Sequence, residues 1–156
     1  MIRSLTTLQG ARPAPGSLAR LLIVDDEADV RSAMRRVLER AGYTVRVAAN
    51  AEQALQALRS EPAEMMITDM IMPKENGAAL ITSVKEEFPA VRIVAISGGG
   101  NFWPQGYKRE AITTSAYLAA ASTAGADGVL AKPFEILELL DVIRGVLTPE
   151  GRPGRE

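Results

Sequence analysis

Four short apolar runs stop abruptly at a polar residue, and this constrains the fold more than any other feature of the chain. Leu21-Leu22-Ile23-Val24 ends at Asp25-Asp26, and Met65-Met66-Ile67-Thr68 ends at Asp69. Val91-Arg92-Ile93-Val94-Ala95-Ile96 ends at Ser97, and Val129-Leu130-Ala131 ends at Lys132. Runs this short and this continuous suit strands buried on both faces rather than half-buried strands, which alternate. Tyr43 to Ala49 adds one more strand. Between the runs, apolar residues recur at helical spacing. Val30, Met34, Val37, Leu38 and Ala41 precede Gly42, placed to cap a helix C-terminus, and Asn50 can N-cap a helix over about 51–59. Leu80, Ile81 and Val84 mark a helix that stops before Pro89, and Ile136, Leu139, Leu140, Ile143 and Leu147 mark the last one.

Five strands alternating with helices predict an α/β fold, a doubly wound parallel sheet covered by helices on both faces. Ligands of such sheets bind beyond the carboxyl ends of the strands. Asp25, Asp26, Asp69, Ser97 and Lys132 all fall there.

The expected domain runs from 20 to 147. Residues 1–19 carry Gly10, Pro13, Pro15 and Gly16 without periodicity and read as a flexible leader, and 148–156 read as a disordered tail. Nothing after Leu147 is long enough for an output module, so direct DNA binding is not expected. No run approaches the roughly 20 apolar residues of a membrane span, and the N-terminus lacks a signal peptide's apolar core. A cytoplasmic location is expected.

Two absences narrow the chemistry: the 156 residues include no Cys and no His. Disulfides, thiolate or imidazole metal sites, Cys nucleophiles and Ser-His-Asp triads are excluded, leaving carboxylates, Lys and hydroxyls. Lys and Arg number 18 against 19 Asp and Glu, a net charge of −1, which lacks the basic excess that drives binding to a phosphate backbone.

Three carboxylates meeting at two strand ends repel one another unless a cation or a proton intervenes. Hard oxygen ligands alone suit Mg²⁺. An Asp beside such an ion can attack a phosphoryl group and form an acyl phosphate, with Lys132 and the Ser97 hydroxyl supplying a cation and a hydrogen bond to its oxygens. Taken singly, each part has a plainer reading: an acidic pair after a strand caps a helix or forms a solvated turn, and a Lys-Pro pair lies on the surface.

Taken together, the motifs resemble the receiver domain of two-component response regulators. The matching residues are Val24-Asp25-Asp26-Glu27, Asp69-Met70-Ile71-Met72-Pro73 with Gly77, Ala95-Ile96-Ser97-Gly98, and Ala124-Gly125-Ala126-Asp127-Gly128 leading to Lys132-Pro133-Phe134. The likeness covers about residues 20–147. It implies a flavodoxin-like strand order 2-1-3-4-5, Asp69 as phosphoacceptor, and Asp25, Asp26, Asp69 and the carbonyl of Ile71 as Mg²⁺ ligands. It also implies Ser97 as the switch hydroxyl, Lys132 as the phosphate-binding lysine, and a cis Lys132-Pro133 peptide. With no His in the chain, the phosphoryl donor is expected to be a sensor histidine kinase, a histidine phosphotransfer protein or a small acyl or amido phosphate. The chain then acts as a stand-alone response regulator on a downstream protein, with homodimerisation through the fourth helix, fifth strand and fifth helix as a further expectation. The rival readings are a Mg²⁺-dependent phosphohydrolase with an aspartyl nucleophile and a degenerate receiver used as a scaffold.

Three departures from the family stand out. Val129 occupies the place of an aromatic residue three before the lysine. Thirty-five positions separate Ser97 from Lys132, about a dozen more than usual, and the excess holds an extended loop over 98–110. Within it Phe102, Trp103 and Tyr107 follow Gly98-Gly99-Gly100, either packing on the fourth helix or offering a docking patch. Ile71 and Gly99, each two residues after a site residue, cannot orient an attacking water.

Overall fold

The computed structural model describes residues 18–72, 75–97 and 119–148. Residues 1–17 of the leader expected over 1–19, the loop expected over 98–110 and residues 149–156 of the expected tail lie outside the described residues; the last two leader residues instead join the fold, since the Leu18 N–H donates to Gly42 O at 2.8 Å and Ala19 is buried. Strands β1 (Arg20–Val24), β2 (Thr44–Ala48), β3 (Met65–Asp69), β4 (Arg92–Ser97) and β5 (Gly128–Ala131) form one parallel sheet in the order β2-β1-β3-β4-β5. Helices α1 (Ala28–Arg40), α2 (Ala51–Ser60), α3 (Gly77–Glu87), α4 (119–124) and α5 (Ile136–Leu147) cover it.

The period-two geometry of strands sorts their side chains onto two faces. Leu22, Val24, Met66, Ile93 and Ala95 pack with α2, α3 and α4 through Ala54, Leu58, Leu80, Ile81, Val84 and Ala121. Leu21, Ile23, Met65, Ile67, Val94 and Ile96 pack with α1 and α5 through Leu38, Leu139, Ile143 and Val146. Every residue of β1 and β3 is buried, which is why neither run alternates. Each large aliphatic side chain buried here contributes about 1.5–3 kcal/mol.

Local chemistry sets the element ends. Ala41 closes α1 and Gly42 follows at φ +109°. The Gly42 N–H donates to Glu39 O and the Tyr43 N–H to Leu38 O, at 3.0 and 3.1 Å. These bonds satisfy the last helical carbonyls, and only glycine takes that φ cheaply. Tyr43 is thereby spent on closing the helix, so β2 begins at Thr44. Asn50 caps α2 by accepting from the Gln53 N–H at 2.8 Å. A two-residue ribbon, Ile71–Met72 antiparallel to Glu75–Asn76, follows β3 and is too short for any periodic signal.

Two features bear on the site. The sheet order reverses at β1 and β3, which are neighbours although β2 lies between them in sequence, and the crevice of such a fold opens there. Asp127 ties β5 to β4: its carboxylate accepts from the Ile93 N–H and from Lys85 Nζ, both at 2.9 Å. The resulting register sets Ser97 opposite Ala131, immediately before Lys132.

Candidate functional site

Asp25 continues β1 by donating its N–H to Ala48 O at 3.1 Å, and its Oδ1 accepts from the Glu27 N–H at 2.9 Å. The plainer reading is therefore partly correct: the carboxylate does cap a turn. Yet Asp25 is buried, which a solvated turn would not require. Glu27, the N-cap residue of α1, makes no side-chain capping bond. Asp69 ends β3 and is also buried, whereas Asp26 is exposed. One carboxylate oxygen from each of Asp25, Asp26 and Asp69 lies within 4.8 Å of the others.

Lys132 approaches from β5, with Nζ 3.5 Å from Asp69 Oδ2. Its backbone N–H donates to Ser97 O at 2.8 Å, and the Lys132-Pro133 peptide is cis. The Ser97 hydroxyl is fully buried and has no hydrogen-bond partner among the described residues. Leaving a buried hydroxyl unpaired costs about 1–3 kcal/mol, so its presence asks for an explanation. The Met70 N–H donates to Ile96 O at 2.8 Å, joining the chain after Asp69 to β4.

Burial pushes the Asp25 carboxyl up from its ordinary 3.8 to about 6, and the charges of Asp69 and Asp26 add to the rise. The Glu27 N–H and the Lys132 ammonium oppose it. An acidic cluster so placed favours either a proton or a cation. Three oxygen donors, one edge open to solvent at Asp26 and a buried unpaired hydroxyl fit Mg²⁺ together with a phosphoryl group.

The structure thus brings together Asp25, Asp26, Asp69, Ser97 and Lys132. Ile71 follows at the start of the ribbon. Val129 is half-buried and packs against the α2–α4 face of the core. Two further residues shape the site without belonging to its chemistry. A Cβ on Gly77 would lie 2.7 Å from Met70 Cα and 3.0 Å from Met70 O, so the chain after Asp69 crosses α3 where only a glycine fits. Gly77→Ala is expected to lower stability by about 1–3 kcal/mol. The cost arises because backbone, not a flexible tip, has to move. A urea midpoint equal to wild type would contradict this. The second residue is Arg31, whose Nη1 donates to the Asp25 carbonyl at 2.8 Å. Sequence reasoning passed over it because it reads as an ordinary polar position of α1. The available signal was a cation close to a helix N-terminus, where the dipole disfavours it.

The family model for the response regulator receiver domain matches residues 21–144. The chain is 30% identical over 138 residues to the DNA-binding transcriptional regulator NtrC of Rhizobium meliloti (strain 1021), covering 88% of this chain and 26% of that protein. It spans about a quarter of the length of the NtrC relatives. It is 33% identical over 129 residues to a 14.6 kDa protein of the sodA1 3′ region of Leptolyngbya boryana, covering 80% of this chain and 86% of that one. Among solved structures, a CheY-like receiver domain protein from Methanospirillum hungatei JF-1 aligns with a TM-score of 0.70 at 26% identity, covering 84% and 94% of the two chains. No helix among the described residues is long and apolar enough to cross a membrane.

Proposed function

Because this chain belongs to the response regulator receiver domain family, we propose that it is a phosphorylation-controlled receiver whose phosphoacceptor is Asp69. The observation that carries this reading is the meeting of three carboxylates within 4.8 Å, one of them paired with Lys132. Receivers serve phosphorylation-based two-component signalling and bind Mg²⁺ at an acidic cluster. Here Asp25, Asp26, Asp69 and the Ile71 carbonyl would hold the ion, which when bound neutralises the carboxylates and the oxygens of the incoming phosphoryl group.

The chain's own residues do the rest. An Asp69 carboxylate oxygen attacks phosphorus, the N–P bond of a phosphohistidine on a partner protein breaks, and the departing imidazole nitrogen keeps the electron pair and takes a proton from solvent. Lys132 stabilises charge on the transferred group. The unpaired Ser97 hydroxyl then donates to a phosphoryl oxygen, which offsets the cost of its burial. Since the Lys132 N–H already holds Ser97 O, movement of Ser97 passes directly to β5. Val129 leaves no aromatic ring there to rotate, so the output runs through these backbone contacts to a protein target or a further phosphoryl acceptor. The α4–β5–α5 face is the surface for that partner or for a second copy. A cytoplasmic location accords with this role.

Incubation with acetyl phosphate and Mg²⁺ tests the reading by intact mass. One added phosphoryl group, absent in EDTA, is expected. No incorporation from this donor or from a phosphorylated histidine kinase would leave only the scaffold role. Sustained release of phosphate from phosphomonoesters would instead favour the phosphohydrolase. The acyl phosphate should decay slowly, over minutes to hours, because Ile71 and Gly99 offer no polar side chain to orient water. A lifetime of seconds would refute that expectation.

A further inference from the structure

We infer that Arg31 is a positioning residue for the divalent cation, holding the β1–α1 turn so that Asp25 and Asp26 both face Asp69. The inference rests on the Mg²⁺ reading above. Asp25 is held at three atoms. Its N–H donates to Ala48 O and its Oδ1 accepts from the Glu27 N–H, both bonds that the backbone supplies whatever the neighbouring side chains are. The third, from Arg31 Nη1 to the Asp25 carbonyl at 2.8 Å, is the one that another residue's side chain contributes.

The far side of the same turn is held by the first backbone bond of α1, from the Arg31 N–H to Glu27 O at 3.1 Å, which does not depend on the side chain at 31. Asp26 lies between the two anchored carbonyls. Its own carboxylate is exposed and makes no hydrogen bond among the described residues, so its direction depends on the backbone on either side. The α1 N-terminus cannot do this work alone, because Glu27 makes no side-chain capping bond.

Helix stability does not explain an arginine here. The dipole disfavours a cation near a helix N-terminus, and the carbonyl contact is the only side-chain hydrogen bond of Arg31 among the described residues. Arg35, one turn on, has the ordinary partner Glu39 at i+4. Groups that orient metal ligands without touching the metal typically account for 10–100-fold in affinity. A single hydrogen bond to a turn that is otherwise anchored belongs at the lower end of that range.

The test is calorimetric titration of Mg²⁺ into the metal-free full chain, alongside thermal unfolding in EDTA. Arg31→Met should bind Mg²⁺ roughly tenfold more weakly than wild type. Arg31→Lys, which keeps a charged donor on a long stem, should recover most of that loss. Arg35→Met should bind as wild type does, while its unfolding midpoint shifts about as much as that of Arg31→Met. A folded Arg31→Met that binds within about twofold of wild type would overturn the inference. So would an Arg31→Met that fails to fold while Arg31→Lys binds normally, since that assigns the residue to stability. Absence of Mg²⁺ binding by wild type would overturn the underlying reading first, and is separately visible.

Discussion

Asp69→Ala is expected to take up no phosphoryl group from acetyl phosphate and Mg²⁺ under conditions in which the wild-type chain gains one. The reason lies in how the three carboxylates differ. Asp25 is engaged through Oδ1 with the Glu27 N–H, and Asp26 is exposed at the rim. Asp69 is the buried carboxylate paired with the Lys132 ammonium, which stands ready to neutralise an incoming oxyanion. Removing it deletes the proposed attacking atom and leaves Lys132 without that partner. The protein should still fold, because the lost ion pair is countered by relief of repulsion with Asp25 and Asp26. Intact mass with circular dichroism as a folding control decides the matter. Incorporation persisting in Asp69→Ala would move the acceptor to Asp25, Asp26 or Ser97.

Asp25→Asn is expected to act in two directions, losing more Mg²⁺ affinity than the roughly 10–100-fold that partners outside the ligand set account for while making the metal-free protein more stable at neutral pH. The Asp25 carboxyl titrates at about 6 in the folded chain and at 3.8 when its environment is lost. Between those values the folded state binds the extra proton. The metal-free protein therefore loses stability as pH rises from about 4 to about 6, the penalty is complete above about 6, and it vanishes below about 4. A rise from 3.8 to about 6 corresponds to about 3 kcal/mol at most. Solvent at the open side of the cluster reduces this to roughly 1–2 kcal/mol. Asparagine has no charge to lose and its carbonyl oxygen can still accept from the Glu27 N–H, so the variant should show a flatter pH profile. Denaturant unfolding in EDTA at several pH values, repeated with saturating Mg²⁺, measures both effects. Wild type should gain stability with Mg²⁺ and the variant should not. A variant less stable than wild type in EDTA above neutrality would refute the proposed balance.

Both effects together would mark a site whose function costs stability. The surrounding sheet tolerates the cost because β1 and β3, which present the carboxylates, are buried along their whole length.

The strands were legible because burial on both faces leaves continuous apolar runs, and their polar ends marked where chemistry would sit. Other features were not legible. The start of β2 depended on Tyr43 being used to close α1. The ribbon after β3 has two residues per strand, below any periodicity. Gly77 stood in a recognisable motif, but its reason, contact with Met70 backbone, appears only when α3 packs against the end of β3. Arg31 was invisible because its partner is a backbone carbonyl, which carries no residue identity.

By itself the sequence determined the fold class and the inventory of reactive groups. Periodicity is written in adjacent residues, and the absence of His and Cys is a property of the list, not of its arrangement. The tertiary structure alone decided which of those groups meet. Asp25 and Asp69 are 44 positions apart, and Lys132 is a further 63 away. They converge because the strand order reverses between β1 and β3, and because Asp127 sets the β4–β5 register that carries Lys132 alongside Ser97. Only packing of the whole sheet produces that proximity, and with it the repulsion among the carboxylates and the buried unpaired hydroxyl.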